Sequence, residues 1–180
     1  IALFYLVVKN NETMAQVFLV IGCSLLCILL STGMSDCIAK PLVGRLRPCN
    51  DPAIKYSLNM MSSMRNNDYS FFSAHAANTF SIALFFCLLV RNRILSISLI
   101  SWSLINCYTR LYLGMHFPFG ILAGLVWGAL VAIVSYLLYS YIYRRISPKI
   151  NYISTQYTST GYSLGDIDLV ICILFFTYLY

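Results

Sequence analysis

Four apolar stretches, residues 14–34, 74–90, 95–112 and 118–143, joined by short polar or charged segments, constrain this chain more than any other feature. Each has roughly the 17–25 residues that carry an α-helix across a hydrocarbon core about 30 Å thick. Lipid offers backbone N–H and C=O groups no water to bond, so chain at that depth must satisfy them internally, and helices do. Composition agrees: 59% of residues are hydrophobic and 10% charged, against roughly a quarter charged in soluble domains. The sequence therefore predicts an all-α, polytopic transmembrane bundle forming one membrane-embedded domain over residues 1–180.

The remaining segments fit around these spans. Residues 1–8 are too few to cross, start without Met and lack a charged leader, so they are expected to be the end of a helix that begins upstream. Residues 40–72 carry Pro41, Pro48, Pro52 and many Asn, Ser, Asp and Arg residues, the marks of an aqueous connection with room for short helices. Residues 144–166 read as a polar connector, and 167–180 as an apolar run too short for a full span. Pro118 suits the first turn of its helix.

The net charge of +6 does not indicate nucleic acid, because the twelve Lys and Arg residues fall at the ends of apolar runs with no extended basic face. Counting crossings puts Lys9, Arg91, Arg93, Arg144, Arg145 and Lys149 on one side and Lys40, Arg45, Arg47, Lys55, Arg65 and Arg110 on the other. The positive-inside rule alone ties. If several of the second set are kept for chemistry, the first side is cytoplasmic and the loop after residue 37 lies outside. The seven cysteines include no Cys-x-x-Cys pair and read as packing residues; Cys37 and Cys49 are candidates for proximity.

Three clusters carry chemistry. In Lys40-Pro-Leu-Val-Gly-Arg-Leu-Arg47-Pro48, a point charge and a planar fork stand at the mouth of a span, suited to gripping a phosphoryl group. In Phe72-Ser73-Ala74-His75, Ser73 is placed to cap the next helix, whose N-terminal N–H groups favour an anion. In Thr109-Arg110-Leu-Tyr-Leu-Gly-Met-His116, a cation near the end of an apolar helix is followed, across a turn at Gly114, by an imidazole. An ion so placed is a functional candidate, and neutral imidazole can attack phosphorus. Taken singly, the clusters carry little: the first also reads as an interfacial anchor and the second as a structural histidine at a helix start.

In order and spacing the three resemble the signatures of the phosphatidic acid phosphatase type 2 family: Lys-x6-Arg-Pro, Pro-Ser-Gly-His and Ser-Arg-x5-His-x3-Asp. Lys40, Arg47 and Pro48 match the first; Ser73 and His75 the second, with Phe72 for Pro and Ala74 for Gly; Arg110 and His116 the third, with Thr109 for Ser and Gly120 for Asp. The stretch 110–124 is similar to the family's third-motif region, and Ser73-Ala74-His75-Ala76-Ala77-Asn78 is similar to bacterial undecaprenyl-diphosphate phosphatases.

The resemblance implies a helical core of the phosphatidic acid phosphatase type 2 and vanadium haloperoxidase type, and hydrolysis of a lipid phosphate or diphosphate, with undecaprenyl diphosphate the first expectation. His116 would be the nucleophile, forming a phosphohistidine, and His75 the general acid. Lys40, Arg47, Arg110, Ser73 and the backbone N–H near Ala74 would hold the phosphoryl oxygens. Neither metal nor cofactor is expected, since three cations can stabilise the transferring group without one. The partners implied are the lipid substrate and the surrounding membrane lipids.

Gly120 is the consequential departure. The family's Asp at that place accepts a hydrogen bond from the nucleophilic histidine, by the Asp-His logic of serine proteases. Without it, a water, a backbone carbonyl or Ser73 is left to orient the ring. A second reading follows, a member that binds phospholipid head groups without turnover; a third is a structural membrane protein whose motifs match by chance.

Overall fold

In the computed structural model, residues 2–48, 69–146 and 156–179 are described. Among them the chain is helical apart from connecting turns and one isolated bridge between Tyr157 and Ser163. The helices are α1 (Ala2–Asn10), α2 (Met14–Gly33), a π-helical segment (Met34–Ala39) leading into α3 (Lys40–Val43), α4 (Ala74–Val90), α5 (Arg93–Tyr112), α6 (Pro118–Ile146) and α7 (Leu164–Leu179). Three stretches are long and apolar enough to cross a membrane: Met14–Val43, Arg93–Tyr112 and Pro118–Ile146. At 17 residues, or about 25 Å, α4 is shorter, and it packs against α2, α5 and α6. This is a multi-pass membrane bundle.

Local chemistry sets the ends. Thr13 caps α2 in a capping box with Gln16. Asn92 caps α5 and Ser73 caps α4, its Oγ accepting from the Ala76 N–H at 3.3 Å. Pro118 opens α6 as expected, whereas that helix runs past residue 143 to Ile146. The first span continues through the π-helical segment to Ala39, and the expected connection opens with the short helix Lys40–Val43. There the ladder loosens to π bonding, with the Lys40 N–H reaching Ser35 O, before Pro41 and a left-handed stop at Gly44. Cys49 lies outside the described residues, so its proximity to Cys37 is not addressed; Cys23, Cys27 and Cys107 are buried, while Cys37 and Cys172 are exposed.

Packing differs along the bundle. Toward the C-terminal end of α4, large side chains fill the interior: Leu6, Val20, Phe85, Leu95, Val131 and Ile167 are almost wholly buried, and Phe85 meets Tyr139 edge to face at 6.2 Å. Toward the other end, α4 and α6 meet through small residues. A Cβ on Gly124 would stand 2.8 Å from Ser73 O, and one on Gly128 2.7 Å from Ala77 O. Two glycines four residues apart thus let the two backbones touch, as close helix crossings in membranes require. This contact seats the N-terminus of α4 against the start of α6. Phe18, Leu29, Ile97, Val126, Leu130 and Leu137 face outward, the surface a lipid solvent would cover.

Candidate active site

The end of the bundle set by these close contacts holds the C-terminal end of the first span, the start of α4, the end of α5 and the start of α6. All three sequence clusters map there. Lys40 lies on α3, one turn after Asp36, with which it makes a 2.6 Å ion pair. Arg47 is 8% exposed, and Pro48 beside it is buried. Ser73 is fully buried; its Oγ accepts in the cap, which leaves its hydroxyl proton to donate. Ala74 begins α4, whose first-turn N–H groups have no intrahelical acceptor. His75 follows on the exposed face of the first turn, within electrostatic reach of Arg110, Lys40 and Arg47.

Arg110 occupies the last turn of α5. Its guanidinium contacts Met115 Sδ at 3.6 Å, and its buried Nε has no hydrogen-bond partner among the described residues. A buried donor without a partner costs about 1–3 kcal/mol, which an anion at this place would offset. Thr109, by contrast, turns its hydroxyl back onto Asn106 O at 2.8 Å.

Gly114 then reverses the chain. At φ +63° it takes the left-handed conformation, with its N–H on Leu111 O and the Met115 N–H on Arg110 O. The turn brings His116 inward, where it is 6% exposed and its Nδ1 lies 2.8 Å from Ser70 O. Burial, opposed by that hydrogen bond and reinforced by the charges of Arg47 and Lys40 and by His75, lowers the His116 pKa to about 4. The ring is therefore neutral near pH 7, the state a nucleophilic imidazole needs.

Two contributors had no individual role in the sequence reading. Ser70, outside all three motifs, supplies the carbonyl that His116 meets. Arg45 stacks its guanidinium 3.7 Å from the centroid of Phe117, and its carbonyl accepts from the Ser70 N–H at 2.8 Å. The basic motif and the histidine turn are thereby linked through backbone.

Residues 21–144 match the sequence profile of the PAP2 superfamily. The chain belongs to the PAP2 superfamily. Among curated proteins, this PAP2 chain is similar to the lipid A 4'-phosphatase of Bacteroides thetaiotaomicron, 37% identical over 128 residues covering 71% of this chain and 56% of that protein. It is also similar to the lipid A 4'-phosphatase of Porphyromonas gingivalis, 30% identical over 139 residues, 77% of this chain and 58% of that protein. The PAP2 chain thus spans a little over half the length of these curated relatives. No solved structure matches it.

Proposed function

We propose that this PAP2 chain belongs to a metal-independent membrane phosphatase that removes a phosphate from a lipid. The observation that carries the proposal is the convergence of Lys40, Arg47, His75, Arg110 and His116, from separate elements, on one end of the bundle. In this reading the three cations, the Ser73 hydroxyl and the N–H of Ala74 hold the phosphoryl oxygens. Phosphoryl transfer is mostly positioning and charge stabilisation, which these groups provide. The His116 Nε2 lone pair attacks phosphorus and the bond to the lipid oxygen breaks. His75, exposed beside the bound group, protonates that oxygen as it leaves. Water then hydrolyses the phosphohistidine, with His75 accepting its proton.

The lipid is a glycolipid phosphomonoester of the lipid A type, a reading supported by the names of both relatives. Undecaprenyl diphosphate, favoured by the wording around Ser73 to Asn78, is the second reading. In this reading the site lies on the extracytoplasmic face of the cell membrane: charge counting alone ties, and Lys40, Arg47 and Arg110, kept for chemistry, leave the other basic set to mark the cytoplasm.

Phosphate release by the purified full-length protein in detergent, with EDTA, tests both. Release from lipid A bearing a 4'-phosphate that is lost in His116→Ala supports the first substrate and the histidine mechanism. Faster release from undecaprenyl diphosphate selects the second. Head-group binding with no release from either lipid would leave a member that binds without turnover.

A further inference from the structure

The proposal above needs a neutral His116 whose Nε2, not Nδ1, carries the free lone pair. An Asp at position 120 would fix that tautomer, but this chain has Gly120. Neighbouring backbone takes up the position instead. His116 Nδ1 stands 2.8 Å from Ser70 O, a group that only accepts, so Nδ1 bears the proton and Nε2 is bare. A Cβ on residue 120 would lie 3.5 Å from that same oxygen. Residue 120 and His116 therefore converge on a single acceptor.

The backbone that carries this acceptor is tied at three points. The Ser70 N–H donates to Arg45 O at 2.8 Å, Ser35 Oγ donates to Phe72 O at 3.0 Å, and the Ser73 N–H donates to Gly120 O at 3.1 Å. Ser70 itself is 1% exposed. The segment 70–73 is thus tied to the basic loop, to the π-helical segment and to α6, with its carbonyl aimed at the ring.

We infer that the Ser70 backbone carbonyl is the positioning group for His116, replacing a carboxylate, and that Gly120 keeps a competing side chain away from it. The inference rests on the His116 role proposed above. A neutral carbonyl fixes the tautomer as a carboxylate would, but it stabilises imidazolium far less. The charged and titratable groups around the ring, Arg47, Lys40 and His75, all act against its protonation, and Asp36 is engaged with Lys40. His116 accordingly stays unprotonated well into the acid range.

The chain has two histidines, so ¹⁵N-histidine NMR of the full protein in micelles reads this directly, with His75→Gln assigning the signals. The expected result at pH 7 is a single Nδ1–H tautomer for His116, with a titration midpoint well below 6.5. Gly120→Ala, whose Cβ makes only an ordinary contact, leaves both unchanged. Gly120→Asp, which places a carboxylate against the carbonyl, raises the midpoint by about 1–3, and Gly120→Asn does not. An Nε2–H tautomer, a mixture of tautomers, or a wild-type midpoint at or above 6.5 would overturn the inference. Because the readout needs no turnover, the two claims part cleanly. Phosphate release abolished by His116→Ala together with an Nε2–H ring sinks the carbonyl and spares the phosphatase; an Nδ1–H ring without release does the reverse.

Discussion

The two ends of the bundle solve the problem of buried polarity in opposite ways. At the end near Lys9, charge is closed off: Lys9 Nζ pairs with Asp166 at 2.6 Å, Asn10 donates to the other carboxylate oxygen at 3.1 Å, and the Ser163 N–H donates to Asn10 Oδ1 at 2.7 Å. This network ties α1 to α7 over a core of large side chains. At the end near His116, helices meet through glycine and backbone, Arg110 Nε is buried with no hydrogen-bond partner among the described residues, and the imidazole is held neutral. One end has spent its polar groups on structure, while the other keeps a buried guanidinium nitrogen for which the anion site proposed above would supply the partner.

The sharpest way to break that contrast is His116→Ala. Phosphate release should fall by about 10⁴-fold or more, and the thermal midpoint should drop as well, since the buried Ser70 carbonyl loses its donor; retained release would remove the chemistry from this end. Next comes Arg110→Ala, expected to cost about 10²–10³ in turnover. Arg110→Lys should recover little of it, since a point charge does not reproduce the fork; full recovery would reduce Arg110 to a diffuse charge.

Gly124→Leu addresses packing rather than chemistry. Its Cβ would stand 2.8 Å from Ser73 O, so overpacking of about 1–3 kcal/mol should lower the melting temperature. The milder Gly124→Ala should depress turnover as well as stability, because Ser73 and Ala74 move with the displaced backbone. Unchanged melting in both would mean that the α4–α6 contact is looser than described.

Acid should also weaken the fold through His116. Its folded pKa of about 4 lies below the ordinary 6.5, so between those values the unfolded chain binds the extra proton. The stability this confers is complete above about pH 6.5 and declines as pH falls toward 4. Melting curves from pH 7 to 4.5 should show a steeper decline for wild type than for His116→Gln. The smallest effect is expected at the far end: Asp166→Asn should lower the melting temperature while kcat stays the same, and a loss of turnover there would show that the ends are coupled.

Much of this layout was legible in the sequence. Apolar runs of about 20 residues fix the spans because lipid admits few alternatives, and Ser73, Gly114 and Pro118 mark their turns by chemistry that leaves little freedom. The residues at the site end were singled out by the order and spacing of three motifs that resemble a family's signatures, since each cluster taken alone carried little. The spacing of Gly120, Gly124 and Gly128 was readable and went unused; it is the signal for the α4–α6 contact. The Ser70 carbonyl had no such signal, because every residue type carries one, and only the path of the chain aims it. The helical continuation through Pro41 was hidden for a similar reason: a proline there breaks an α ladder, but not one already loosened to reach from Lys40 to Ser35.

That loosened ladder gives the chain slack in length. The Lys40 N–H reaches Ser35 O, so the turn between them holds one residue more than an α turn. In a regular α-helix each residue advances the chain by about 100° and 1.5 Å, and losing one would rotate everything beyond it. Removing one residue between Met34 and Ala39 would instead let the wide turn close to an ordinary α turn, with Lys40 still on its present face of the span. At this point of the chain a deleted codon is the gentler lesion, and an inserted one has no slack left to absorb it.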